Sequence, residues 1–200
     1  MASIAPLLTA VRSCSICAEY LPLDPRPVLQ AHPHARILVV SQAPGRKAHE
    51  AGIPFADASG ERLRQWMGVT STTFYDPHSI AIVPMGFCFP GTGKSGDLPP
   101  RPECAPAWRE KLVAHLTHIE LTLVIGQYAQ AYYFPAAGFP NATTTVTKTV
   151  QSWRNYWPAV VPLPHPSPRN NIWLRRNPWF EAELLPCLQA RVAEVLTHAL

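Results

Sequence analysis

The segment Ala159-Val160-Val161-Pro162-Leu163-Pro164-His165-Pro166-Ser167-Pro168-Arg169-Asn170 runs from an apolar strand straight into a proline-stiffened loop. Proline at 164, 166 and 168 fixes φ near about −65° at alternate positions, so the loop is held before any ligand arrives. Between the prolines stand a histidine, a serine and an arginine. These side chains can donate to a developing anion, bind a phosphate oxygen and contact a phosphate or base. A proline-rich surface turn would look the same in isolation. A second strand, Arg36-Ile37-Leu38-Val39-Val40, leads in the same manner into Ser41-Gln42-Ala43-Pro44-Gly45. The pairing of two such strand–loop units favours a site over a turn.

Two further apolar runs, residues 79–83 and 121–125, read as strands. Helical patterns fall between them: 59–67, then 107–116 with Trp108, Leu112 and Leu116 on one stripe, then a helix opened by Gly126 and running through Tyr133. A Thr-rich stretch leads into a further helix over 146–156. Near-helical spacing over 3–21 (Leu7, Leu8, Val11, Cys14) is ended by Pro22, Pro25 and Pro27. Asn177 as N-cap and Pro178 as first helical residue predict a terminal helix to about Thr197, kinked by Pro186. Strands alternating with helices predict an α/β domain spanning 1–200, with a mainly parallel four-stranded sheet in a three-layer α/β/α sandwich. Ligands of such sheets bind beyond the carboxyl ends of the strands, where both loops lie.

Two hundred residues with 47% apolar content suit one globular domain, although 23 prolines is an unusual share and implies many ordered loops. The formal charge is only +4, but 13 Arg stand against 4 Lys, which permits nucleic-acid contacts without demanding them. There is no apolar run of roughly 18 residues and no signal-peptide pattern, so the expectation is a cytoplasmic protein with no membrane association. Five cysteines, two of them in Cys14-Ser-Ile-Cys17, then read as metal ligands more readily than as disulfides, or else as small buried side chains. Gly91-Thr92-Gly93-Lys94-Ser95 is not a phosphate-binding P-loop, because Cys88 stands where its first glycine belongs and no helix-forming run follows. A glycine-rich turn that presents Lys94 to a DNA backbone and a plain flexible loop are equally good readings.

The two motif loops together resemble the active-site motifs of the uracil-DNA glycosylase superfamily, and most closely those of its iron–sulfur, family 4 type. The resemblance covers roughly residues 12–190. It implies a monofunctional DNA glycosylase of base excision repair, acting as a monomer on DNA with a damaged base, uracil first. It also implies a [4Fe–4S] cluster on Cys14, Cys17, Cys88 and Cys104, a thiolate set that zinc would accept too. Cys187 has no partner by motif and reads as core. In the resemblance His165 is the donor to the departing base, and Ala43, Pro44 and Gly45 line the base and sugar. Phe55 stacks under the base. Ser167 binds phosphate, and Pro168, Arg169 and Asn170 form the segment inserted into the DNA, with Arg175 and Arg176 adding charge.

Two positions depart from the family pattern. The water-aligning carboxylate is replaced by Gln42, which can orient a water but cannot take its proton. His49, Glu50 and Asp57 are neighbours in sequence that could substitute. The base-reading asparagine is replaced by Pro84, which leaves its backbone carbonyl as an acceptor and backbone groups around Val83–Gly86, Pro84 and Met85 among them, to read the base. These departures keep two other readings open: a non-catalytic binder of lesions or abasic sites, and a glycosylase for another base such as hypoxanthine.

Overall fold

Ile37, Leu38, Val39 and Val40 are all buried, and they divide alternately between two cores, as side chains of a strand must when both faces of its sheet are covered. In the computed structural model, which describes residues 3–94, 96–134 and 145–197, these residues are the centre of a three-layer α/β/α fold. The elements in chain order are α1 (Ala5–Arg12), β1 (Ile37–Val40), α2 (Arg46–Ala51), α3 (Ala58–Met67), α4 (Ser71–Phe74), β2 (Ile80–Ile82) and a small hairpin of β3 (Thr92–Gly93) and β4 (Gly96–Asp97). Then follow α5 (Glu110–Val113), β5 (Leu121–Ile125), α6 (Gly126–Tyr133), α7 (Val146–Gln151), β6 (Val160–Leu163), α8 (Asn171–Arg176) and α9 (Leu185–Thr197).

The main sheet has the order β2-β1-β5-β6, and every pairing in it is parallel. Ile37 lies opposite Ile80 on one side and Leu121 on the other, and Thr122 lies opposite Val160. Ile37 and Val39 pack with Leu63 and Trp66 of α3 and Leu188 of α9. Leu38 and Val40 pack on the opposite face with Val11 of α1, Leu112 of α5 and Ala129 of α6. Among the described residues, no helix is long and apolar enough to cross a membrane.

Several local expectations change. The helical spacing over 3–21 yields only α1, followed by a short turn over Ala18–Tyr20. Residues 105–109 form a π-helical turn ahead of α5, and the expected helix over 146–156 is α7 followed by a tighter turn at Trp153–Asn155. The Thr-rich approach before Thr145 lies outside the described residues, as does Ser95. Asn177 does not cap the terminal helix. Its Nδ2 donates to the Trp173 carbonyl at 2.8 Å and its Oδ1 accepts from the Trp179 indole at 3.1 Å, so it closes α8 instead. The lack of an N–H at Pro186 is absorbed by a widened π-turn over Phe180–Leu184, directly before α9.

Arg109 is 1% exposed, an unusual burial for a guanidinium. Its Nη1 donates to the Val83 carbonyl at 2.7 Å, its Nη2 donates to Tyr133 Oη at 2.7 Å, and its charge lies 5.4 Å from the ring centres of Tyr132 and Tyr133. It therefore ties the end of β2 to α6. Arg109→Ala is expected to lower the unfolding free energy in urea by about 2–5 kcal/mol, the range for emptying a large buried site. A loss below about 1 kcal/mol would show that the Val83 and Tyr133 oxygens are satisfied some other way.

Candidate active site

The carboxyl ends of the strands open into one cleft of about 900 Å³. Residues 41–45 after β1 form one part of its lining and residues 164, 165 and 167–170 after β6 another, with Phe55, Asp57 and Pro84 between them and the β3–β4 hairpin at the mouth. The first loop is held by a backbone ladder that continues past the strand ends. Val83 N–H donates to the Val39 carbonyl at 3.0 Å, Met85 N–H to Ser41 at 2.8 Å and Gly86 N–H to Gln42 at 2.9 Å.

That ladder limits what the segment after β2 can offer a base. The amides at 83, 85 and 86 are spent on β1 and its loop, the Val83 carbonyl is spent on Arg109, and proline has no N–H, so this segment has no free backbone donor for a base. Pro84 does line the cleft, whereas Met85 is buried in the second core and does not. The side chain of Gln42 donates from Nε2 to the Leu98 carbonyl at 2.8 Å, so its Oε1 is the end left to accept from a water. His49 and Glu50 do not line the cleft. His49 is buried near Phe89, and Glu50 pairs with Arg46 on the surface. Of the three neighbours, Asp57 alone reaches the cleft, and its Oδ1 accepts from Gly60 N–H at 3.0 Å as the cap of α3.

The second loop is fixed at both ends. Buried Gln130 of α6 donates to the Leu163 carbonyl at 2.9 Å, where β6 ends. Arg62 of α3 donates to the Ser167 carbonyl at 3.0 Å and to Asn171 Oδ1 at 2.8 Å. Within the loop, Asn170 Nδ2 donates to the His165 carbonyl at 2.7 Å, and Ser167 Oγ accepts from Arg169 N–H at 3.3 Å. Both polar side chains thus shape the loop itself.

His165 Nδ1 accepts from Ser167 N–H at 3.2 Å. The proton of a neutral ring must then sit on Nε2. Burial pushes the His165 pKa below its ordinary value, against a smaller opposing pull from Asp57, so the ring is neutral near pH 7. Gly126 has φ +76 where β5 turns into α6, and a Cβ built there would lie 3.8 Å from the imidazole. A left-handed residue is needed at that turn, and glycine adopts it without strain.

Phe55 lines the cleft with a φ of 56, a left-handed conformation rare for a bulky side chain. The turn is held because Tyr75 Oη donates to its carbonyl at 3.2 Å and because Gly60 has no side chain. A Cβ at 60 would fall 1.9 Å from the Phe55 oxygen. The ring meets Phe74 edge-on at 6.1 Å. At the rim Lys94, Pro168 and Arg169 are exposed and line the cleft, whereas Arg175 and Arg176 lie exposed on α8 outside its wall.

Cys14, Cys17, Cys88 and Cys104 line a separate small cavity beside Phe87 and Trp108. The Trp108 indole donates to Cys14 Sγ at 3.2 Å, Phe87 N–H to Cys104 Sγ at 3.4 Å, and the Arg26 backbone amide to Cys88. Burial pushes the thiols of Cys88 and Cys104 up to about 11 and about 12, so ionisation there calls for a metal cation. A tetrahedral zinc with Zn–S near 2.3 Å needs sulfurs ~3.8 Å apart. Among the described residues, the donor group of three that falls within 4.8 Å is His32, His34 and His78, and the thiols are not so close. Four thiols around one cavity, with N–H groups aimed at sulfur, are a donor set that a zinc ion or an iron–sulfur cube would take. Cys187 is half-buried against the first core, away from this cavity.

A doubly covered parallel sheet with two stiff loops meeting over a cleft at its carboxyl edge is the architecture of an α/β ligand-binding or catalytic domain. Residues 29–189 match the family model of the uracil DNA glycosylase superfamily, and the chain belongs to that superfamily.

The residues that sequence reasoning missed are Arg62, Gln130 and Arg109. Each sits far in sequence from the segment it holds, and no local motif marks it. Phe55→Ala is expected to weaken binding of a duplex carrying an extrudable lesion by about 1–3 kcal/mol, the worth of one base–aromatic contact. Unchanged affinity with a large drop in thermal stability would make Phe55 a core residue only.

Proposed function

We propose that the protein is a monofunctional DNA glycosylase of the iron–sulfur, family 4 type, which draws an extruded base into the cleft and hydrolyses its bond to deoxyribose, with uracil the first substrate. The observation that carries this reading is the His165 tautomer. A neutral imidazole whose Nδ1 is occupied by a backbone amide presents Nε2–H as a fixed donor. When the N-glycosidic bond breaks, negative charge grows on the base, and a donor already in position stabilises that anion more than the neutral substrate. Phe55 supplies a stacking face, and Lys94 and Arg169 at the rim meet the phosphates, with Ser167, Arg175 and Arg176 extending the DNA-binding face.

In this reading Cys14, Cys17, Cys88 and Cys104 hold a [4Fe–4S] cluster whose contribution is folding free energy. The thiolates join the end of α1, the segment after Pro84 and the turn leading to α5, so the cluster braces the first loop from behind. Gln42 and Pro84, in the places of a carboxylate and an asparagine, favour a second reading: a binder of lesions or abasic sites on the same scaffold, or a glycosylase for a base such as hypoxanthine.

His165→Ala should lower the single-turnover rate by on the order of 10²–10³, as for a lost oxyanion donor, while binding to undamaged duplex changes little. Because the neutral ring is the working form, the wild-type rate should not fall as pH rises past the ordinary imidazole value of about 6.5. A folded variant that releases base at the wild-type rate would refute the role. Protein purified without oxygen should contain about four iron atoms per chain, and Cys88→Ser should lose both iron and thermal stability. Zinc in place of iron, or no metal at all, would refute the cluster.

A further inference from the structure

The first loop has an amide where hydrolysis calls for a base, and the structure puts a carboxylate beside it from elsewhere in the chain. We propose that Asp97 of the β3–β4 hairpin takes the proton of the attacking water. The inference rests on the glycosylase reading and assigns a residue that the motif loops do not contain.

The hairpin crosses the mouth of the cleft and touches both motif loops. Gln42 Nε2 donates to the carbonyl of Leu98, the residue after Asp97. On the same side, a Cβ built on Gly45 would lie 3.3 Å from Asp97 Oδ2 and 3.9 Å from Asp57 Oδ2, so two carboxylates converge over the glycine that ends the first loop. Across the cleft, a Cβ on Gly96 would lie 2.6 Å from Arg169 Nη1, so the guanidinium of the second loop rests on the hairpin. Asp97, Gln42, Asp57 and His165 all line this one cleft.

Between the two carboxylates the chemistry selects Asp97. Asp57 has one oxygen committed to the Gly60 amide, where it caps α3. Asp97 is bonded by the Thr92 side chain and faces the charges of Arg169 and Asp57. Its outer edge is open to solvent, so water reaches it. The cleft walls desolvate its inner side and, with Asp57, raise its pKa above the ordinary carboxyl value, while Arg169 and Thr92 oppose the rise. A raised pKa makes a stronger base.

In the hydrolytic step, Gln42 Oε1 accepts one hydrogen of the water and Asp97 takes the other as a proton. The water oxygen bonds to C1′ while the C1′–N bond breaks. That electron pair leaves with the base, whose anion is stabilised by His165 Nε2–H. The proton on Asp97 passes to solvent, and the departed base is protonated by solvent.

The test is single-turnover base release from labelled duplexes carrying uracil, hypoxanthine or hydroxymethyluracil, across a pH series, for wild type, Asp97→Asn and Asp57→Asn. Asp97→Asn should be slower by about 10²-fold or more, and should lack the acid-side fall in rate that wild type shows as Asp97 becomes protonated. Its affinity for a duplex with a non-cleavable abasic analogue should stay within about threefold of wild type, which a merely structural lesion would not spare. Asp57→Asn, which keeps the cap of α3, should be slowed much less than Asp97→Asn. Asp97→Asn at the wild-type rate, or with the acid-side fall intact, overturns the proposal. A loss confined to Asp57→Asn overturns it as well and moves the role to Asp57. A wild-type protein that releases no base from any duplex sinks the glycosylase reading and this assignment together. An active wild type with a slow His165→Ala and an undiminished Asp97→Asn overturns the Asp97 assignment alone.

Discussion

Two backbone hydrogen bonds, from Met85 N–H to the Ser41 carbonyl and from Gly86 N–H to the Gln42 carbonyl, hold the candidate site to the sheet. They extend the parallel ladder beyond the last residues of β1 and β2, so the first loop leaves the sheet with its backbone already committed. Burial of both sheet faces makes that commitment rigid, since an apolar strand with helices on each side has no neighbouring space to shift into. Gln130 does the same for the second loop by taking the Leu163 carbonyl, and Arg62 closes it from α3. Groups held this way need no rearrangement when charge develops between them, which is the condition under which fixed dipoles lower a barrier most.

The charge pattern follows the same logic. The chain is only mildly basic at +4, and its arginines are used one by one. Arg109 is buried to tie β2 to α6, Arg62 braces a loop, and Arg169 lies at the mouth of the cleft against Gly96. The neutral His165 sits deeper, in a setting whose desolvation disfavours a charged ring. Positive charge thus stands at the rim where phosphates would pass, and a neutral donor stands inside.

The sheet was legible because its signals are local. Residues 121–125 and Gly126 through Tyr133 read from the sequence as the elements found, and the strand before residues 41–45 differs by one residue at its start. Apolar runs of strand length followed by glycine or proline admit few other readings. The short pieces were not legible. α2, α4, α8 and the β3–β4 hairpin lack a periodic pattern long enough to detect, and π-helical turns precede α5 and α9. Asn177 and Pro178 make a good helix start locally, but the bonds from Asn177 to Trp173 and Trp179 outweigh the cap. The two motif loops could be placed at one edge of the sheet from sequence. Asp97 could not, because only the hairpin brings it to Gly45, and a two-residue strand on each side leaves no signature.

The central claim is that this cleft breaks an N-glycosidic bond in DNA. It is tested most directly by incubating the wild-type protein with duplexes that each carry one uracil, hypoxanthine or hydroxymethyluracil, and separating free base from DNA. The account predicts release of at least one of these bases, leaving a strand that is cut only after alkali, as hydrolysis by a monofunctional enzyme requires. Tight binding to the same duplexes with no free base at any enzyme excess would contradict it.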